Sequence, residues 1–197
     1  MSKLLFQGHG SYRIITDENI VIYVDPFMGS GYDKEADIIL VTHEHNDHNH
    51  IDLPSKKSDT VIIRNGDLHV GNVYNKTLIK GVEIEAVEAY NAKHDKATCV
   101  GFVLRFDNLV LYASGDTSLT DDMINKLPNY NIDYALLPID GIYNMDYKEA
   151  MICANYIKAR YTIPIHMKPM EAFDSECANL FMHPSRLIVK ANQEIDL

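Results

Sequence analysis

Ala36-Asp37-Ile38-Ile39-Leu40-Val41-Thr42-His43-Glu44-His45-Asn46-Asp47-His48 joins a short apolar run to the pattern H-x-H-x-D-H. The apolar half reads as a strand buried on both faces, the type found inside parallel sheets. The polar half begins where that strand ends, and the carboxyl ends of such strands open onto crevices that take ligands. His43 and His45 are two residues apart, so an extended chain turns both rings to one side, toward one metal ion. Asp47 and His48 are adjacent, and a turn lets them diverge from the first pair and serve a second ion. Imidazole combined with carboxylate suits Zn²⁺, Mn²⁺ or Fe²⁺ better than Ca²⁺ or Mg²⁺.

This pattern does not complete two sites alone, and three residues downstream stand where further ligands belong. His94 follows an expected strand at 82–89. Asp116, in Ser114-Gly115-Asp116-Thr117, follows one at 109–113. His166 follows Tyr161-Thr162-Ile163-Pro164-Ile165. Asp25 ends a strand at 20–24, just before Pro26, where a carboxylate can hold a ligand histidine from behind. Lys168 is a candidate for meeting an anionic substrate. His50, His69 and His183 have no ligand spacing and read as structural or surface residues.

Other strands are expected at 3–6, 12–16, 60–63, 100–106, 133–138 and 186–190. Asp17-Glu18-Asn19 and Asp107-Asn108 read as hairpin turns. Helices are expected from Thr120 to about Leu127, stopped by Pro128, and around 171–181. The clearest helix starts at Asp146, which forms a capping-box pattern with Glu149. Tyr147, Ala150, Met151, Ala154 and Ile157 then recur at helical spacing and read as core. Many strands with few helices imply a layered α/β domain.

The chain has 197 residues, enough for one domain with a sizeable core. Its net charge of −10 argues against nucleic acid or an anionic membrane as a partner. No apolar run is long enough for a membrane helix. Met1-Ser2-Lys3-Leu4-Leu5-Phe6-Gln7 shows no secretory signal. Cys99, Cys153 and Cys177 are odd in number and widely spaced, which fits reduced thiols in the cytoplasm.

The order H-x-H-x-D-H, then His94, then Gly115-Asp116-Thr117, then a late His166 resembles the metallo-β-lactamase superfamily over nearly the whole chain. Gly8-His9-Gly10-Ser11, Val24-Asp25-Pro26-Phe27 and Leu136-Leu137-Pro138-Ile139-Asp140-Gly141 resemble the branch that includes L-ascorbate-6-phosphate lactonase. The resemblance implies a four-layer αβ/βα sandwich, two mixed sheets covered by helices, as a single metallo-hydrolase domain over 1–197. It implies two divalent ions, Zn²⁺ foremost. One would be held by His43, His45 and His94, the other by Asp47, His48 and His166, with Asp116 bridging. Asp47 would also handle protons, and His9 would stand near the metals as a supporting or substrate-facing residue.

The implied activity is hydrolysis of a small ester, lactone or phosphodiester by a metal-activated water. The alternatives are a nuclease of the same fold, a di-iron oxidoreductase, or a metal sensor without turnover. The sequence leaves room for a homo-oligomer. It departs from the branch at Asp140-Gly141, where Gly-Gly is usual, and at Asn144 and Met167-Lys168-Pro169, so a relative's substrate does not carry over.

Overall fold

Two mixed six-stranded sheets face each other in the computed structural model, which describes residues 1–197. The first sheet is built from β1 (Lys3–Gly8), β2 (Ser11–Ile15), β3 (Val21–Val24), β4 (Ala36–Val41) and β5 (Lys56–Arg64). A one-turn helix α1 (Asn65–Leu68) and a small hairpin of β6 (His69–Val70) and β7 (Val73–Tyr74) lead to the second sheet. That sheet uses β8 (Lys76–Ile79), β9 (Val82–Glu88), β10 (Val100–Phe106) and β11 (Leu109–Ala113). After α2 (Asp121–Asn125) it adds β12 (Tyr134–Pro138), and after α3 (Tyr147–Ile157) it adds β13 (Tyr161–Ile165). The chain closes with α4 (Ser175–Leu180) and β14 (Gln193–Asp196).

The strand orders are β14-β1-β2-β3-β4-β5 and β13-β12-β11-β10-β9-β8. In each sheet four antiparallel strands pass into three parallel ones: β3, β4 and β5 in the first, β11, β12 and β13 in the second. The parallel strands are covered on both faces, so β3, β4 and β12 are buried at every position. The turn at Asp107-Asn108 has both residues at positive φ (49° and 62°), as a tight hairpin between right-twisted strands requires.

A 24-residue apolar cluster fills the space between the sheets, with Phe6, Tyr12, Ile38 and Leu40 from one and Ile84, Phe102, Leu104 and Leu136 from the other. A second cluster lies under α2, α3 and α4, on the outer face of the second sheet. The helical cover is therefore uneven. The outer face of the first sheet carries a small cluster around Tyr23 and Ile39, overlaid by the loop residues Tyr32 and Ile51. Those crossovers contain Pro26, Gly29, Gly31 and Pro54, a composition that favours turns over helix.

Three local expectations differ in detail. The run at 186–190 forms only an isolated bridge from Arg186 to Thr162, and the last strand is the polar β14, which pairs with β1 at the sheet edge. Asp146 caps α3 by accepting from Lys148 N and Glu149 N, but the Glu149 carboxylate turns away to accept from Leu119 N. Pro128 does not simply stop α2. It opens a 3₁₀ turn, Leu127–Asn129, where its missing N–H is not needed.

Candidate metal centre

The site collects the carboxyl ends of strands from both sheets. Asp25 follows β3, and the His43–His48 loop follows β4. From the second sheet, His94 follows β9, Asp116 follows β11, Asp140 follows β12 and His166 follows β13. His9 enters from the β1–β2 turn. The packing at this junction is close. A Cβ on Gly115 would lie 2.8 Å from Thr42 Cβ, and one on Gly10 would lie 3.0 Å from the His48 ring. His9, Asp25 and His166 have φ of 58°, 46° and 44°, so backbone strain gathers where the side chains converge.

Three groups of donor atoms result, each with its atoms within 4.8 Å of one another: His43, His45 and His94; His9, Asp47, His48 and His166; and His43, His48 and Asp116. The residues expected as ligands are thus brought together, with His9 joining Asp47, His48 and His166, and with His43 falling both with His45 and His94 and with His48 and Asp116. The His43, His45 and His94 rings lie 4.6–5.0 Å apart by centroid. Asp116 spans both sets. Its Oδ2 lies 3.3 Å from His94 Nε2 and 3.5 Å from His166 Nε2, and its Oδ1 lies 3.3 Å from His48 Nε2.

Oxygen atoms behind the rings fix which nitrogen faces inward. Asp25 Oδ2 lies 2.8 Å from His48 Nδ1, and Asp25 also accepts from Thr42 N and Thr42 Oγ1. Since the Thr42 hydroxyl donates to Asp25, His43 Nδ1–H donates to Thr42 Oγ1 (3.1 Å). Asn91 Oδ1 takes His94 Nδ1–H (3.0 Å), and Asp140 Oδ2 lies 2.7 Å from His166 Nδ1. Each arrangement leaves Nε2 as the inward atom, as in metal-binding histidines backed by an acceptor. Nε2 of His43, His48 and His166 is buried and makes no hydrogen bond. Three orphaned imidazole nitrogens beside two carboxylates fit divalent metal ions.

His9 follows the same logic. Its Nδ1 lies 3.2 Å from the Glu171 carbonyl oxygen, which can only accept, and its Nε2 lies 3.3 Å from Asp47 Oδ2. Its own carbonyl accepts from His166 N.

The electrostatics divide the histidines. Burial, helped by the His48 charge, lowers His43 to about 2, so this ring stays neutral. Burial also works against a charge on His166, but Asp116, Asp140 and Asp47 outweigh it and raise the ring to about 9. Asp47 and Asp116 stay ionised: burial opposes this, and the neighbouring histidines override it. A metal ion taking His166 must therefore expel a proton below pH 9. The expected result is an apparent affinity that falls about tenfold per pH unit on acidification, for each proton expelled. Zn²⁺ titration calorimetry near pH 7, in buffers of different ionisation enthalpy, reads that proton release directly, and zero release would contradict the ligand assignment.

A cleft of about 400 Å³ opens over the donors, lined by His45, Asn46, Asp47, Lys93, His94, Asp116, Tyr143, Pro169 and Met170. Lys168 is not part of it. Its ammonium pairs with Asp174, the cap of α4, in a neighbouring hollow. The cation lining the cleft is Lys93. His50 contacts Asn46, His69 stacks on Tyr74, and His183 contacts Ser185 and Asn155, all as local structure. Sequence reasoning missed Asp140 as the partner of His166, although it follows β12 as Asp116 follows β11, and the Asp140-Gly141 departure pointed at it. Nothing in the sequence marked Asn91.

Residues 3–166 match the family model described as Beta-lactamase superfamily domain. A UPF0173 metal-dependent hydrolase from Thermococcus onnurineus is 30% identical over 224 residues, covering 99% of both chains. The crystal structure of a Parabacteroides distasonis protein assigned as a metal-dependent hydrolase superimposes with a TM-score of 0.79 at 30% identity, over 96% of this chain and 93% of that one. A Thermotoga maritima protein assigned to the Zn-dependent hydrolases of the metallo-β-lactamase superfamily shares the fold, with a TM-score of 0.65 at 23% identity over 86% and 78% of the two chains.

Proposed function

The chain belongs to the metallo-β-lactamase superfamily and is a metal-dependent hydrolase, and we propose that residues 1–197 form one catalytic domain that uses two divalent ions to cleave a small ester, lactone or phosphodiester. The observation that carries this reading is the convergence of inward-facing Nε2 atoms and two ionised carboxylates at the floor of an open cleft. His43, His45 and His94 would hold one ion, Asp47, His48 and His166 the other, and Asp116 both. Zn²⁺ suits these donors, and Mn²⁺ or Fe²⁺ would be accepted by the same set. Such ions supply Lewis acidity toward a carbonyl or phosphoryl oxygen and make a water acidic enough to attack near neutral pH.

The chain supplies orientation and proton handling. Asp47 has its side chain 29% exposed toward the cleft, the ionised group best placed to accept a proton from the attacking water and return it to the leaving group. His9 Nε2 lies 3.3 Å from Asp47 Oδ2, so the two donor atoms would face the second ion together. Asp25, Asn91 and Asp140 lock the ligand rings, so little reorganisation is needed during the reaction. No helix is long and apolar enough to cross a membrane. The three free cysteines and the acidic charge support a small-molecule hydrolase of the cytoplasm.

Elemental analysis of protein purified without chelators is expected to give about two transition-metal ions per chain. Chelation should abolish hydrolysis of p-nitrophenyl diesters and simple lactones, and Zn²⁺ or Mn²⁺ should restore it. A single ion at full activity would overturn the two-ion reading. Full activity after exhaustive chelation would overturn metal dependence itself.

A further inference from the structure

We infer that Lys93 selects substrates carrying a second anionic group beside the one that meets the metal centre, so that the substrate class is a small ester, lactone or phosphodiester with a carboxylate or phosphate substituent. This rests on the hydrolase reading and names what that cleft prefers. Lys93 is the one lysine or arginine among the residues lining the cleft, which include His94 and Asp116. Eight lysines hold carboxylates in ion pairs, including Lys96 three residues on; of the five that hold none (Lys34, Lys93, Lys148, Lys158 and Lys190), Lys93 is the one that lines the cleft. An unpaired cation at the wall of a cleft is free to take an incoming anion.

Its placement is fixed by Asn91. The Asn91 side-chain oxygen accepts from Lys93 N (2.7 Å), from His94 N (3.0 Å) and from His94 Nδ1 (3.0 Å), so one residue sets the ligand ring and the lysine backbone together. The Asn91 side-chain nitrogen donates to the Tyr143 carbonyl (3.0 Å), tying this loop to the one that carries Tyr143. The cleft also has an apolar lining: Tyr143 is 49% exposed and Met170 65% exposed, beside Pro169. A substrate with a charged end toward Lys93 and a short apolar body against Tyr143 and Met170 matches this lining.

The test measures binding to the metal-loaded protein, so it does not depend on turnover. Butyrate offers one carboxylate, for the metal centre. Succinate, glutarate and adipate offer a second at increasing reach. At least one diacid is expected to bind about five- to tenfold more tightly than butyrate, the scale of a charge-assisted contact. Lys93→Ala should erase that preference, Lys93→Arg should keep most of it, and Lys93→Glu should reverse it. Lys93 is exposed, so the variants should fold, and equal metal content confirms that His94 is undisturbed. Absence of a diacid preference, or a preference that survives Lys93→Ala, overturns the inference. Failure of the hydrolase reading shows differently, as lack of turnover on the ester and lactone panel with the diacid preference intact.

Discussion

Replacing Asp116 with alanine is expected to lower kcat/KM by about 10³-fold, or about 4 kcal/mol of transition-state stabilisation. The size follows from its position. Asp116 is the carboxylate whose two oxygens reach His48, His94 and His166, and it is buried at the floor of the cleft. Without it, His48 and His166 lose the negative charge that holds their protons, and the two proposed ions would lose their common ligand. The metal content should fall from about two ions per chain to one or fewer. Asp116→Asn keeps the shape without the charge and should lose nearly as much, because the defect is electrostatic. An alanine variant with unchanged kcat/KM and full metal content would remove Asp116 from the centre.

Asp25→Ala is expected to destabilise the protein by about 3–5 kcal/mol, the scale for stripping one partner from a buried charged network. Asp25 touches no proposed ion. Its carboxylate accepts from the Thr42 backbone, the Thr42 hydroxyl and His48, all buried, and alanine leaves each of them unpaired. Affinity for the metal that takes His48 should drop a further 10- to 100-fold, because the ring loses the group that fixes its tautomer and tilt. Urea denaturation of the metal-free protein separates the two effects: the stability loss persists without metal, and the affinity loss is read by titration. Asp25→Asn, which keeps one acceptor oxygen for Thr42, should recover part of the stability and little of the affinity. If both variants matched the unmodified protein in urea, the network would not be holding the β3–β4 junction.

Much of this site was legible because metal chemistry restricts residue type. His43, His45, Asp47 and His48 stand in one short stretch, and His94, Asp116 and His166 each follow a readable strand. Asp25 was legible through its position before Pro26, and the structure places it against His48. The supporting contacts were harder because any oxygen can serve. Asn91, Thr42 and the Glu171 carbonyl all hold histidine rings, and nothing in their composition says so. Sequence reasoning named Lys168 and passed over Lys93, because which lysine meets a carboxylate is settled only in three dimensions; Asp174 takes Lys168. At the fold level, buried strands such as β4 advertise themselves by continuous apolar runs. β14 is Gln193-Glu194-Ile195-Asp196, a polar edge strand recruited by hydrogen bonding to β1, and its pattern carries no strand signal. The apolar run at 186–190 misled because burial of Val189 needs no ladder.

The donors come from both sheets, and this has a mechanical consequence. Each proposed ion would take two ligands from the loop after β4 and at least one from the second sheet, His94 for one ion and His166 for the other. The ions would then act as rivets across the sandwich. At the far end of β4, Asp37 already clips the sheets together through Lys80, in the turn between β8 and β9. A molecule fastened at both ends of β4 would gain stability from the ions by mass action, and metal-loaded protein is expected to unfold at higher urea than the metal-free form. Loss of metal would then loosen the junction between the sheets at that end, while the Asp37–Lys80 contact still holds the other.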